Sequence, residues 1–123
     1  MSEDYAAFLA TKRHEWTGHG VSSWSLPASL YGFQIALTSW ALRKGRAAIF
    51  ADTGLGKTAM QLSWAANLPG RVLIFAPLCV AEQTITEGCR LGIAVGYVGS
   101  GTAIEITNYE QLHHVDPSRY VGV

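Results

Sequence analysis

The feature that most constrains the fold of this chain is a glycine-rich loop at residues 51–58, which reads Ala-Asp-Thr-Gly-Leu-Gly-Lys-Thr. It follows a short apolar run at residues 47–51 and precedes residues 57–68, where apolar side chains recur at helical spacing. Glycines let backbone N–H groups approach an anion closely, and a helix that follows directs its N-terminal dipole at the same place. A strand, a glycine loop and a helix in this order therefore predict a binding site for the phosphates of a nucleotide.

Two residue types at the end of the loop suit this chemistry. The Lys57 ammonium can bind the β and γ phosphates, and the Thr58 hydroxyl can take one coordination position of Mg²⁺. Lys57 and Thr58 are thus the candidate catalytic residues, Thr58 is the candidate metal ligand, and ATP with Mg²⁺ is the expected cofactor. The alternative is a glycine turn that carries a solvated lysine by chance. The loop residues predicted to bind the cofactor are Thr53, Gly54, Leu55, Gly56, Lys57 and Thr58.

The rest of the chain alternates apolar runs with amphipathic segments. Strands are predicted at residues 47–51, 71–76, 94–98 and 103–107, and helices at residues 57–68 and 80–91. This alternation predicts an α/β fold in which helices flank both faces of a parallel sheet. Upstream, we expect a helix over residues 2–16 with Ser2 as its N-cap and a Gly/Ser/Pro-rich loop over residues 17–29. A further helix over residues 30–43, ended by Gly45, would place one apolar face inward, formed by Phe33, Leu37, Trp40 and Ala41.

Composition narrows the class of protein. Nine basic and nine acidic residues give zero net charge, so any contact with nucleic acid must be local. The longest apolar runs are about five residues, against about 20 for a membrane span, and the acidic N-terminus has no apolar segment behind it. We therefore expect a cytoplasmic protein without membrane contact. Cys79 and Cys89 are predicted to be buried thiols without chemistry, and His113 and His114 lack a third metal ligand at a familiar spacing.

The form Ala-x-Thr-Gly-x-Gly-Lys-Thr resembles motif I of the superfamily 2, DEAD/DEAH-like helicases, and three further blocks follow in the order of that family. Phe33-Gln34 is similar to the Q motif. Ala76-Pro77-Leu78, with Gln83 and Thr84 after it, is similar to motif Ia, and residues 106–110 resemble the Thr-x-Tyr-Glu segment, motif Ib, of Swi/Snf-type DNA translocases. The sequence of the glycine loop resembles that of helicases encoded by phages and prophages.

This resemblance implies that residues 30–123 belong to the first RecA-like ATP-binding domain, with residues 1–29 as a preceding helix and loop. It also implies that Gln34 reads the edge of adenine. By the same resemblance, the sugar-phosphate backbone of DNA would be contacted by Pro77, Gln83, Thr107 and Asn108. The alternatives are that Gln34 is an ordinary exposed helix residue, that Pro77 only ends a strand and that Tyr109 only belongs to the core.

Hydrolysis on this fold needs the Asp-Glu pair of motif II, which binds Mg²⁺ and positions the attacking water. No Asp-Glu pair occurs in the 123 residues. We therefore expect a domain truncated before motif II, with the C-terminal RecA-like domain missing. The intact enzyme would couple ATP hydrolysis to movement on DNA, whereas this chain alone would lack significant turnover. A small P-loop kinase and a nucleotide-binding module that never hydrolyses are the alternatives, although no Arg-rich lid segment of a kinase follows the loop.

Overall fold

The computed structural model of the chain describes residues 3–12 and 18–123. Helices and strands alternate, which confirms a mixed α/β chain. The parts of the predicted N-terminal helix at Ser2 and at residues 13–16 lie outside the described residues. In chain order the elements are α1 (Glu3–Lys12), α2 (Gly32–Lys44), α3 (Lys57–Ala66), β1 (Val72–Phe75), α4 (Leu78–Leu91), β2 (Val95–Tyr97), β3 (Ile104–Thr107) and two 3-10 helices, Tyr109–His114 and Pro117–Arg119.

The three strands form one parallel sheet in the order β1-β3-β2, which confirms the predicted parallel arrangement. Ile104 of β3 pairs with Val72 on one side and with Val95 on the other. The outer edge of β1 is also paired, because Gly122 forms a parallel bridge with Val72. There the N–H of Leu73 donates to the carbonyl of Gly122 at 3.0 Å, so this segment extends the sheet beyond β1.

The core lies between one face of the sheet and the helices α3 and α4. Because side chains alternate along a strand, every second residue of β1 and β3 points to this face. Ile106 and Val72 are fully buried there. The buried members of the core are Leu62, Ala65, Val72, Ile74, Ala81, Val95, Ile104 and Ile106.

The predicted strand at residues 47–51 is wrong. Within the described residues this run forms no ladder with any strand, and Phe50 is 97% exposed. An apolar run becomes a strand only when a sheet edge is available to pair with it. The β1 edge is taken by Gly122, so residues 47–51 form an extended segment without sheet partners.

The inward face of α2 differs in part from the prediction, since Ala41 is buried as predicted and Leu37 is half-buried, but Phe33 and Trp40 are not buried. Phe33 and Trp40 are 44% and 38% exposed. Trp40 instead lies under the ammonium of Lys44, which is 5.1 Å from the ring centroid. The contact of α2 with α3 buries a more polar face, formed by Gln34, Thr38, Ala41 and Leu42.

The two cysteines are exposed, so the prediction of buried thiols is wrong. Helix α4 turns Ala81, Thr84 and Gly88 inward, and neither Cys79 nor Cys89 lies on that face. No helix in the described ranges is long and apolar enough to cross a membrane.

The segment before α2 packs against the end of that helix. The backbone N–H groups of Gly20 and Val21 donate to the carbonyls of Arg43 and Leu42 at 3.2 and 3.0 Å. These carbonyls belong to the last turn, where no intrahelical donor is available. A side chain at Gly20 would place its Cβ 1.7 Å from the Leu42 oxygen, so only glycine permits this approach. The helix ends at Gly45, as predicted.

Candidate nucleotide-binding site

The glycine loop has the backbone geometry that its sequence predicts. Gly54 and Gly56 adopt φ angles of 81° and 74°, and α3 begins immediately afterwards at Lys57. In the part of the chain that the structure describes, the N–H groups of Gly54, Gly56, Lys57 and Thr58 donate no hydrogen bond within the protein. Converging unbonded N–H groups at a helix N-terminus are donors suited to an anion.

Gln34 joins α2 to this loop. Its Nε2 donates to the carbonyl of Leu55 at 2.9 Å, and its Oε1 accepts the N–H of Tyr31 at 2.9 Å. Gln34 is only 5% exposed, so the alternative of an ordinary exposed helix residue is wrong. An amide oxygen has two lone pairs and an amide nitrogen carries two protons, so each atom can still form one further bond.

Gly56 is required where the loop meets Gln34. A Cβ built on Gly56 would lie 2.2 Å from the Nε2 of Gln34, so any larger residue here would have to displace that side chain. Its φ of 74° also lies in the left-handed region that favours glycine. Position 56 is therefore restricted both by its backbone angle and by its contact with Gln34.

Lys57 and Thr58 occupy the first turn of α3. Lys57 is exposed and Thr58 is half-buried, and both border a wide groove that Phe75 and Tyr109 also line. An ammonium, a hydroxyl and unbonded N–H groups are the donor set that a Mg²⁺-nucleotide phosphate requires. The residues present would fit the phosphates of a nucleotide, in which case Lys57 would be the cation and Thr58 could hold the metal.

Asp52 introduces a negative charge within the loop. Its carboxylate accepts the N–H of Thr53 at 2.8 Å, which turns the carboxylate back on the loop itself. Thr53, a predicted cofactor-binding residue, therefore has its N–H committed inside the loop. The carbonyl of Leu55, another predicted cofactor-binding residue, accepts a hydrogen bond from Gln34.

A cavity of about 320 Å³ lies on the α2 side of the glycine loop. That volume is at the lower end of the range for small-molecule pockets. Aromatic and apolar side chains near the start of α2 form one wall, and the end of α4 forms another. The lining comprises Ser29, Leu30, Tyr31, Phe33, Gln34, Gly54, Leu55, Gly56, Ala59, Glu87, Arg90 and Leu91.

Three of the four residues predicted to bind nucleic acid lie at the carboxyl ends of β1 and β3. Thr107 ends β3 and pairs with Phe75, the end of β1, so Pro77 follows close to it. Asn108 begins the first 3-10 helix, where its Oδ1 accepts the N–H of Gln111 at 3.2 Å. Gln83 lies further along α4, and its side chain is exposed. Pro77 also serves as the N-cap of α4.

Tyr109 is not a core residue. It is 64% exposed, and its ring stacks on Phe75 with the centroids 5.8 Å apart. The rings of His113 and His114 are also in contact, with centroids 4.0 Å apart. Across the described ranges, no three His, Cys, Asp or Glu side chains lie close enough together to hold a metal ion.

Glu105 is an important residue that the sequence analysis did not single out. It is fully buried in the central strand, where Oε2 accepts the N–H of Gly99 at 2.6 Å. Oε1 is 3.1 Å from a guanidinium nitrogen of Arg71 and 3.3 Å from the hydroxyl of Tyr120. The sequence does indicate such a role, because a carboxylate between Ile104 and Ile106 in a predicted buried strand requires hydrogen-bond or ion-pair partners.

Comparisons of the chain with protein-family models, with curated proteins and with solved structures find no match.

Proposed function

We propose that this chain is the ATP-binding part of an ATP-dependent DNA helicase or translocase, with a RecA-like fold. The observation that carries nucleotide binding is the set of unbonded N–H groups of Gly54, Gly56, Lys57 and Thr58 at the start of α3. No other described helix begins on two left-handed glycines that precede a Lys-Thr pair. This donor set is complementary to a phosphate chain.

In this proposal each residue acts through the chemistry of its own side chain. Lys57 neutralises the charge on the terminal phosphates, and Thr58 holds one coordination position of Mg²⁺. Gln34, anchored to the carbonyl of Leu55, uses its remaining donor and acceptor on the adenine edge. When bound, ATP supplies the phosphoanhydride bond whose hydrolysis drives movement in the intact protein.

The choice of a DNA-dependent enzyme rests on the order of the sequence blocks and on where β1 and β3 end. Pro77, Thr107 and Asn108 lie at the carboxyl ends of β1 and β3, where Thr107 and Phe75 pair. Backbone amides and uncharged polar side chains can bind phosphates, so zero net charge is compatible with this role. We propose that the carboxyl ends of β1 and β3 contact DNA, with Gln83 further along α4.

Asp52 and Glu110 are poorly suited to position a hydrolytic water. Asp52 bonds to Thr53 inside the loop, and Glu110 lies on an exposed 3-10 helix beyond the sheet edge. The 123 residues contain no Asp-Glu pair. We therefore propose that this chain binds ATP without significant turnover and that hydrolysis needs a further part of the intact protein.

Base preference tests the proposal. We expect Mg²⁺-ADP to bind more tightly than Mg²⁺-GDP, because an amide matches the donor and acceptor of the adenine edge. Gln34→Ala should reduce this preference to nothing, at a cost of about 1–2 kcal/mol in ADP binding. Calorimetry on both nucleotides measures the ratio, and Gln83→Ala is the control because Gln83 is exposed and does not line the cavity.

Two results would count against this account. Equal affinity of the unaltered chain for ADP and GDP would leave Gln34 with a structural role only. Failure of both nucleotides to bind to the folded chain would contradict the proposed function as a whole.

A further inference from the structure

The end of α4 brings an ion pair to the cavity beside the glycine loop. The Nε of Arg90 donates to Oε2 of Glu87 at 3.1 Å, and a second hydrogen bond joins Nη2 to Oε1. The bonded Arg90 draws the pKa of Glu87 below its ordinary value, so the carboxylate is charged at neutral pH. Both residues line the cavity that Gln34 and Gly56 also line.

Helix α4 itself accounts for the formation of this pair, because Glu87 and Arg90 are i,i+3 neighbours and Arg90 lies in the last turn. The side chains of Glu87 and Arg90 are 29% and 62% exposed, and exposed ion pairs contribute little to stability. Neither residue belongs to the buried face of α4, which consists of Ala81, Thr84 and Gly88. The pair also places a carboxylate and a guanidinium at the cavity, where both can contact a ligand.

The remaining bonding capacity of the pair has a definite chemistry. A carboxylate only accepts hydrogen bonds, whereas a guanidinium only donates them and has five N–H groups, of which the pair uses two. A ligand that satisfies both groups at once must offer donors and acceptors close together. Two neighbouring hydroxyls do so, because each hydroxyl donates one bond and accepts others.

We propose that Glu87 and Arg90 bind the ribose hydroxyls of the nucleotide and make the site selective for ribonucleotides over deoxyribonucleotides. This inference rests on the proposed function, since it assumes that phosphates bind at the glycine loop. The ribose lies between phosphate and base in any nucleotide. The cavity likewise joins the loop, at Gly54 and Gly56, to the aromatic wall at Tyr31 and Phe33. The base-reading amide of Gln34 is on that wall, which leaves the α4 wall for the sugar.

The test compares ADP with 2′-deoxy-ADP, both with Mg²⁺, on the full 123-residue chain by calorimetry. We expect about a tenfold preference for ADP, the scale of a hydrogen bond to a charged group. Glu87→Ala and Arg90→Met should each bring the two affinities together by weakening ADP binding. Glu82→Ala is the matched control, because Glu82 is exposed on the same helix and does not line the cavity.

Inorganic tripolyphosphate separates this inference from the proposed function. We expect it to bind with equal affinity to the unaltered chain, Glu87→Ala and Arg90→Met, and to lose binding only in Lys57→Ala. If tripolyphosphate behaves in this way but ADP and 2′-deoxy-ADP bind equally to the unaltered chain, the ribose contact is wrong and the phosphate site stands. If the two variants change the ratio of ADP to GDP instead, the pair contacts the base and the inference is overturned. If tripolyphosphate fails to bind the folded chain, both proposals fall.

Discussion

At the scale of single residues, Gly56 is the position on which the loop most depends. We expect Gly56→Ala to destabilise the chain by about 1 kcal/mol more than Gly92→Ala. Both glycines have nearly the same positive φ, 74° and 73°, so the backbone strain of alanine is shared. Only at Gly56 does the new Cβ meet a neighbour, the Nε2 of Gln34, whereas Gly92 faces open space. Displacing Gln34 would break its bond to Leu55, which is worth about 1 kcal/mol.

Chemical denaturation of the two variants measures this difference. Equal losses in the free energy of unfolding would mean that the contact between Gly56 and Gln34 contributes nothing to stability.

Tyr120 carries a second residue-scale prediction, on pH. Burial raises the pKa of Tyr120 above its ordinary 10.0, and the adjacent Glu105 charge acts in the same direction. The folded chain therefore keeps this proton to a higher pH than the unfolded chain does. Its stabilising contribution is complete below about pH 10 and is lost as the pH rises towards the folded-state pKa.

The expected result is a steeper fall in unfolding free energy above about pH 10 for the unaltered chain than for Tyr120→Phe. Denaturation at a series of pH values measures both slopes, with Tyr97→Phe as a control at an exposed tyrosine. Parallel curves for the unaltered chain and Tyr120→Phe would contradict the argument.

Single residues also mark the limit of what the sequence could predict. The conformations of Gly54 and Gly56 follow from the motif, since its spacing places both glycines just ahead of α3. The burial of Gln34 does not follow, because it depends on a bond to Leu55, 21 residues away. The part of Glu105 in joining Gly99 to Tyr120 is likewise a product of tertiary contact.

At the scale of elements, local patterns predicted α3, α4 and all three strands of the sheet, with bounds that differ by at most two residues. In α3 and α4 apolar residues recur at helical spacing, whereas the strands are short runs rich in apolar residues. Residues 47–51 have the composition of a strand but no available edge, and edge availability is not a local property. The inward face of α2 was mispredicted for a related reason, since its contact with α3 and the glycine loop selects Gln34 and Thr38 over Phe33.

Hydrogen bonds join the loop before α2 to the end of α3, and they lead to a prediction about how these two elements are held together. Asn67 follows α3, and its Oδ1 accepts the N–H of Ser25 at 2.9 Å. Its Nδ2 donates to the carbonyls of Ser25 and Ser63 at 2.9 and 2.7 Å. We expect Asn67→Ala to destabilise the chain by about 1–3 kcal/mol, because it removes the two bonds to Ser25 that hold this loop to the helix and one bond to Ser63 within the helix end.

Thermal denaturation of Asn67→Ala, beside Asn67→Asp, checks this prediction. The aspartate keeps the acceptor for Ser25 but turns a second carboxylate oxygen towards the carbonyls of Ser25 and Ser63 at the C-terminus of α3, so it should be no more stable than Asn67→Ala. A midpoint unchanged in both variants would show that the loop is not held through Asn67.

At the scale of the whole molecule, the glycine loop is held from the side of the helices. Helices α2 and α3 pack together, Gln34 binds the loop from α2, and Lys57 begins α3. The sheet holds β1 and β3 side by side. The groove that Lys57 borders is lined by Phe75, at the end of β1, and by Tyr109, just after β3. The nucleotide site should therefore form whenever α2 and α3 pack correctly, without a strand at residues 47–51.

Calorimetric titration of Mg²⁺-ADP into the unaltered chain, Lys57→Ala and Lys12→Ala tests the central claim most directly. Lys12 is the matched control because it is an exposed lysine at the end of α1 that lines neither the cavity nor the groove. Circular dichroism establishes that all three chains are equally folded. We expect the unaltered chain and Lys12→Ala to bind with the same affinity, and Lys57→Ala to bind at least tenfold more weakly, the scale of a lost charged hydrogen bond. Equal affinity in all three chains would contradict the assignment of residues 51–58 as a phosphate-binding loop.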